Sequence, residues 1–137
     1  MDVLFSQPWM HEFAQSWNDE KGMTESLATA DFSTVIGFGY QDEDTPRGVI
    51  EVLHGRVATA GEYSGQTLAW DLRASLEDWQ EWLTNGFGLA KLGVAVSSGR
   101  LNFLAGDYRR MIRNPALANP FLKHFELMSS LKTEFSR

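Results

Sequence analysis

Hydrophobic and polar positions along the chain change period twice. From Pro8 to Lys21 the large apolar residues Trp9, Phe13 and Trp17 fall four apart, flanked by Met10 and Ala14. Glu12, Gln15, Asn18 and Asp19 occupy the opposite side, which predicts one amphipathic helix over 8–21 with Gly22 as its stop. Thr24 to Asp31 reads as a short connector anchored by Leu27. From Phe32 the period becomes two. Phe32, Thr34, Ile36, Phe38 and Tyr40 share one strand face, and Ser33, Val35, Gly37, Gly39 and Gln41 share the other. Large residues on one face and small ones on the other suggest a helix or a ligand lying close over the small face; strong twist of a glycine-bearing strand is the plainer account.

Gly48–Leu53 and Arg56–Ala60 are further strands joined at His54-Gly55, a two-residue hairpin signal. Gly61–Gly65 is the next turn. Leu68, Trp70 and Leu72 then alternate with Ala69, Asp71 and Arg73 as a half-buried strand. Four strands with short connections predict an antiparallel meander. Ser75 caps the helix that follows, whose face carries Trp79, Trp82 and Leu83. After Asn85–Gly88 comes an apolar segment rich in small residues, Leu89–Val96. Ser97-Ser98-Gly99 turns the chain into a last strand, Arg100–Leu104. Asp107 caps a helical stretch broken at Asn114-Pro115, and a final helix is expected from about Pro120 to Phe135. The layout is α+β in one domain: an N-terminal helix (8–21), sheet and central helices (32–105) and C-terminal helices (107–135).

Composition narrows the chemistry. The 137 residues carry no cysteine, so disulfides, thiolate nucleophiles and cysteine metal sites are absent. A net charge of −6 argues against a nucleic-acid partner, and Arg109, Arg110 and Arg113 form only a small basic cluster. No apolar run reaches the roughly 20 residues that span a bilayer. With no secretory pattern in Met1–Phe5 either, a cytoplasmic protein without stable membrane insertion is the expectation. His11, His54 and His124 are scattered, no Gly-x-Ser-x-Gly elbow occurs, and no His-Glu-x-x-His helix exists. Neither a metal nor a cofactor is expected, nor an enzyme. Gln41–Pro46 lacks the spacing of a calcium loop and reads as a solvated turn. Gly37-Phe38-Gly39 and Gly86-Phe87-Gly88 fail as nucleotide loops, because the remaining motif residues are missing.

Several stretches together resemble the sterol carrier protein 2 family. Gly48–Val57 looks like that family's hairpin. Leu68–Ser75 with Glu77-Asp78-Trp79 is similar to the strand that delivers the chain into its first cavity-side helix. Ser98-Gly99-Arg100-Leu101 followed by Gly106-Asp107 resembles its final strand and the step after it. The similarity covers about residues 25 to 131. It implies a five-stranded sheet covered by helices on one face, mainly antiparallel, with an apolar tunnel between the layers. It implies binding of a sterol, fatty acyl or similar molecule, without chemistry, and sometimes its transfer or presentation. Two features depart from the pattern: the extra helical length from Asp107 to Arg137, and the glycines within Phe87–Val96.

The candidate ligand-binding residues are Trp79, Trp82, Leu83, Phe87, Leu89, Leu92, Phe103, Phe121, Phe125 and Met128. Aromatics make up 12% of the chain, and such residues fill cores at least as readily as they line pockets. Arg73, Arg100 and Tyr108 are candidate polar anchors wherever a pocket mouth falls near them. Two alternatives use the same residues differently. One is an interaction module or homodimer through Trp9, Phe13 and Trp17 or through Phe121 and Phe125; the other is a small enzyme acting on an apolar substrate.

Overall fold

The computed structural model describes residues 1–137. A two-residue strand β1 (Asp2–Val3) precedes helix α1 (Gln7–Asp19), which has Pro8 in its first turn. The chain bends at Glu20 and resumes at once as α2 (Lys21–Thr29). The helix predicted over 8–21 is α1, ending at Asp19, whereas the connector predicted at 24–31 is largely a second helix. Gly22 lies inside α2 rather than ending α1. Burial explains the correction: Met23, Thr24 and Leu27 form one face that packs on the sheet, and this outweighs the weak helix preference of one glycine near an end.

The main sheet contains β2 (Thr34–Tyr40), β3 (Gly48–Leu53), β4 (Arg56–Glu62), β5 (Trp70–Ala74) and β6 (Asn102–Ala105). Its spatial order is β4-β3-β2-β5-β6. Three pairings are antiparallel, but β5 lies parallel to β2, with Phe38 opposite Leu72 and Gly39 opposite Arg73. The meander is thus corrected to a mixed sheet. The physical reason is burial: β4 exposes Arg56, Ala58 and Thr59 and suits an edge, while β2 and β5 are covered on both faces and take the centre.

Helix α3 (Leu76–Asn85) begins at Ser75, whose Oγ accepts from the Asp78 amide at 3.1 Å. The small-residue segment is a helix as well, α4 (Leu89–Ser97). After β6 come α5 (Tyr108–Ile112), capped by Asp107, and α6 (Pro115–Ser129), capped by Asn114. The last helix starts five residues earlier than expected and contains Pro120 in its interior. A strand β7 (Thr133–Glu134) then pairs parallel with β1 in place of the predicted helical end. Pro120 removes one helical donor, but α6 buries Ala118, Pro120, His124, Phe125, Leu127 and Met128, and that face holds it together.

The helices cover the large face of β2. Phe38 stacks on Phe5 and meets Phe13 edge to face, while Trp79 and Trp17 donate their indole N–H groups to the carbonyls of Gly39 and Gly55, each at 2.9 Å. Trp9, Phe13 and Trp17 are buried in this layer and present no partner surface. The small face of β2 is covered by a loop rather than by a helix. Residues 41–47 fold back over it, and a Cβ on Gly39 would stand 2.8 Å from the Cα of Pro46.

Arg73 secures that loop. It sits on the outer face of β5, almost wholly buried, and binds Asp71 through two hydrogen bonds of 2.7 and 3.1 Å. It also donates to the carbonyls of Glu43 at 2.7 Å and Tyr40 at 3.3 Å. The alternating polar positions of β5 are therefore an interior ion pair, not a solvent face. Removing one member strands a buried charge. Arg73→Met is expected to lower unfolding free energy by about 3–5 kcal/mol in urea titration, and adding Asp71→Leu is expected to recover much of the loss. Equal stability of Arg73→Met and the parent would contradict this account.

Candidate functional site

Between the sheet and the helices lies a narrow, partly open apolar cleft. Its floor is Ile36 from β2 with Trp70 and Leu72 from β5, and its walls are Trp17, Leu27 and Phe32. Met111 from α5 and Leu117, Pro120, Phe121 and His124 from α6 close the top. The cavity volume is ≈ 40 Å³, enough for about two or three water-sized molecules. Larger hollows, such as one of ≈ 530 Å³ bounded by Glu81, Trp82, Lys91, Val94 and Arg100, are open surface features with charged walls.

Strand alternation builds the floor. Ile36 and Leu72 point to the helix side because Gly37, Asp71 and Arg73 point away. The roof is a weak part of the helical layer. It spans the break at Asn114-Pro115, and Pro120 cannot donate the backbone bond to Ala116.

Of the ten predicted ligand-binding residues, Phe121 lines this cleft. Six of the rings form a continuous chain: Trp79, Trp82, Phe87, Phe125, Phe121 and Phe103, with successive centroids 5.7, 4.4, 4.9, 5.1 and 6.0 Å apart. Of these six rings only Phe121, between Phe125 and Phe103, meets the cavity. Leu83, Leu92 and Met128 are buried beside the chain. Leu89 is 57% exposed on α4 and stands apart. Phe103 is half-buried, between Trp70 and Tyr108. Of the three candidate anchors, Arg73 lies on the far face of the sheet and Arg100 is bound to Asp78 at the surface. Tyr108 lines an outer groove, with its hydroxyl pKa pushed up by burial.

Two kinds of lining residue escaped the sequence reading. Ile36, Trp70 and Leu72 were legible as strand residues, but not as cavity floor until the helices had been placed. His124 carried a signal of its own: with Phe121, Phe125 and Met128 it falls at i, i+3, i+4 and i+7, the apolar stripe of α6.

His124 is the one titratable residue lining the cavity. It is 2% exposed, packed among Phe125, Phe121, Phe38, Phe13 and Trp17 at centroid distances of 4.2 to 6.2 Å. Its Nδ1 contacts the carbonyl oxygen of Phe121, which can only accept, so Nδ1 carries the proton. Nε2 is then an acceptor, and no protein group donates to it. Burial drives the imidazole pKa down to about 4, the Phe121 carbonyl opposing this more weakly. No carboxylate or hydroxyl is bonded to the ring. The one histidine–carboxylate pair, His54 with Asp31 at 2.6 Å, sits exposed at the hairpin away from the cleft.

Comparisons with known structures agree on the fold. A crystal structure of sterol carrier protein 2 superposes with a TM-score of 0.73 at 15% identity, covering 94% of this chain and 99% of that one. The solution structure of a conserved hypothetical protein from Thermus thermophilus, suggested to be a sterol carrier protein, gives 0.68 at 17% identity, covering 97% and 92%. A UbiJ-SCP2 ubiquinone synthesis protein gives 0.55 at 10%, covering 85% and 84%. No family model and no curated protein matches the sequence. The chain therefore has the sterol carrier protein 2 fold, an α+β domain with a mixed five-stranded sheet. No helix is long and apolar enough to cross a membrane.

The buried imidazole sets a pH dependence. Its folded pKa lies below the unfolded value of 6.5, so the unfolded state takes up the proton first as pH falls. The contribution of neutral His124 is complete above pH 6.5 and is lost between there and about 4. The loss amounts to roughly 3 kcal/mol. Urea titrations of the parent and His124→Phe should diverge by about that much across this window, the parent falling more steeply. Parallel pH profiles would exclude a buried neutral imidazole.

Proposed function

We propose that this protein binds a small apolar or amphiphilic molecule, of lipid or fatty acyl type, between the sheet and the helices, and carries or presents it without chemical change. The observation that carries this reading is a narrow apolar cleft, lined by nine hydrophobic residues of eleven, between the layers of a sterol carrier protein 2 fold. Burial of an aliphatic chain there would contribute about 25 cal/mol per Å². A chain-bearing ligand needs a pocket of about 300–1,000 Å³, far more than the resting cleft. Admission therefore requires the roof made by α5 and the first turns of α6 to open, with the break at Asn114-Pro115 and the missing donor at Pro120 as its weakest points. The absence of any carboxylate or hydroxyl bonded to His124 favours carriage over catalysis.

A retained molecule should appear as an added mass in native mass spectrometry of the purified protein and be identifiable after extraction. Titration with a fatty acyl chain should also give a saturable change in tryptophan emission, since Trp17 and Trp70 line the cleft. A ligand-free mass with a silent titration would refute the reading. Leu117→Trp, which fills the roof from a half-buried position, should weaken binding about tenfold or more while shifting the urea midpoint little.

A further inference from the structure

Resting on the carrier reading, we infer that His124 is the hydrogen-bond acceptor for the polar end of the bound molecule. The cleft then selects amphiphiles whose head group carries an O–H or N–H donor, apolar alcohols first among them. Ethers, esters and carboxylates have no proton to give and are disfavoured.

Three observations converge on this assignment. First, Nε2 of a buried side chain at the cavity wall has no protein partner, and a buried polar atom left unpaired is destabilising by an amount that a ligand can return. Second, the Nδ1 contact with the Phe121 carbonyl leaves Nε2 as acceptor only, and the depressed pKa keeps it so at neutral pH. Third, no charged side chain lines the cleft, so an anionic head would lose its hydration without gaining a counter-charge. The cleft's other polar groups do not discriminate in the same way. The Trp17 indole already donates to Gly55, and the Trp70 indole can only donate, so it would serve an ether and an alcohol alike.

The test compares two isomeric probes, dodecanol and methyl undecyl ether, which match in heavy atoms and differ in the donor. Binding to the full chain is followed by tryptophan emission and native mass spectrometry at pH 7. Dodecanol is expected to bind about tenfold tighter than the ether, the effect of one hydrogen bond to an otherwise unpaired buried acceptor. His124→Phe should erase the preference for the alcohol over the ether. In the parent protein the Nε2 nitrogen resonance should move on adding dodecanol and stay in place with the ether, a readout that survives if the variant folds poorly. Equal affinities for the two probes would overturn the donor assignment and leave the carrier reading standing. Failure of both probes to bind would overturn both. A His124→Phe protein that keeps the alcohol preference would remove His124 from the role.

Discussion

Parallel pairing of β2 with β5 at the centre of the sheet organises both of its faces. Because side chains alternate along a strand, one register puts Ile36, Phe38, Trp70 and Leu72 toward the helices and Gly37, Gly39, Asp71 and Arg73 toward the other side. The helix side becomes an aromatic core with a cleft in it. The other side becomes a socket for residues 41–47, shallow because of the glycines and held by Arg73. A one-residue slip of β5 would turn the Asp71–Arg73 pair into the aromatic layer, and the same slip of β2 would turn Phe38 under the loop. The site thus depends on the strand pairing before it depends on any residue that lines it.

The helical layer is unevenly packed. Around Trp79, Trp82, Phe87 and Phe125 the rings meet at 4.4 to 5.7 Å, with indole donors satisfied by backbone carbonyls where they are deepest. Such packing is expensive to disturb. The roof over Ile36 and Leu72 differs. It comprises a five-residue helix, a proline break and a helical start that lacks one backbone donor. Regions of this kind are where local opening is cheapest. Within it sits His124, buried, uncharged and half-bonded, the one departure from polar satisfaction in an otherwise apolar wall.

Much of the layout could be read from the chain itself. The strands, the His54-Gly55 hairpin, the Ser75 and Asp107 caps and the stripe of Trp9, Phe13 and Trp17 follow from spacing and side-chain shape, and the structure has them. The small Gly37–Gly39 face suggested close approach of a helix or a ligand, with strand twist as the plainer account; the structure places a loop there. The predicted ligand set was legible only as apolar residues. Periodicity marks which side chains leave water, and that property is shared by Trp82, packed against Phe87, and Phe121, which faces the cleft.

Local pattern therefore determined most element types, the α+β class and the apolar stripes, because these depend on residues a few positions apart. The exceptions, α2 and β7, are held by tertiary contacts. Three things awaited the tertiary structure. The β2–β5 pairing joins segments far apart in the chain, Ile36 lying opposite Trp70. Asp71 and Arg73 became interior residues only when a distant loop covered them. His124 lost its charge and a hydrogen-bond partner only when Phe13, Trp17 and Phe38 closed around it. In each case the deciding quantity is burial by residues remote in sequence, and no local spacing encodes it.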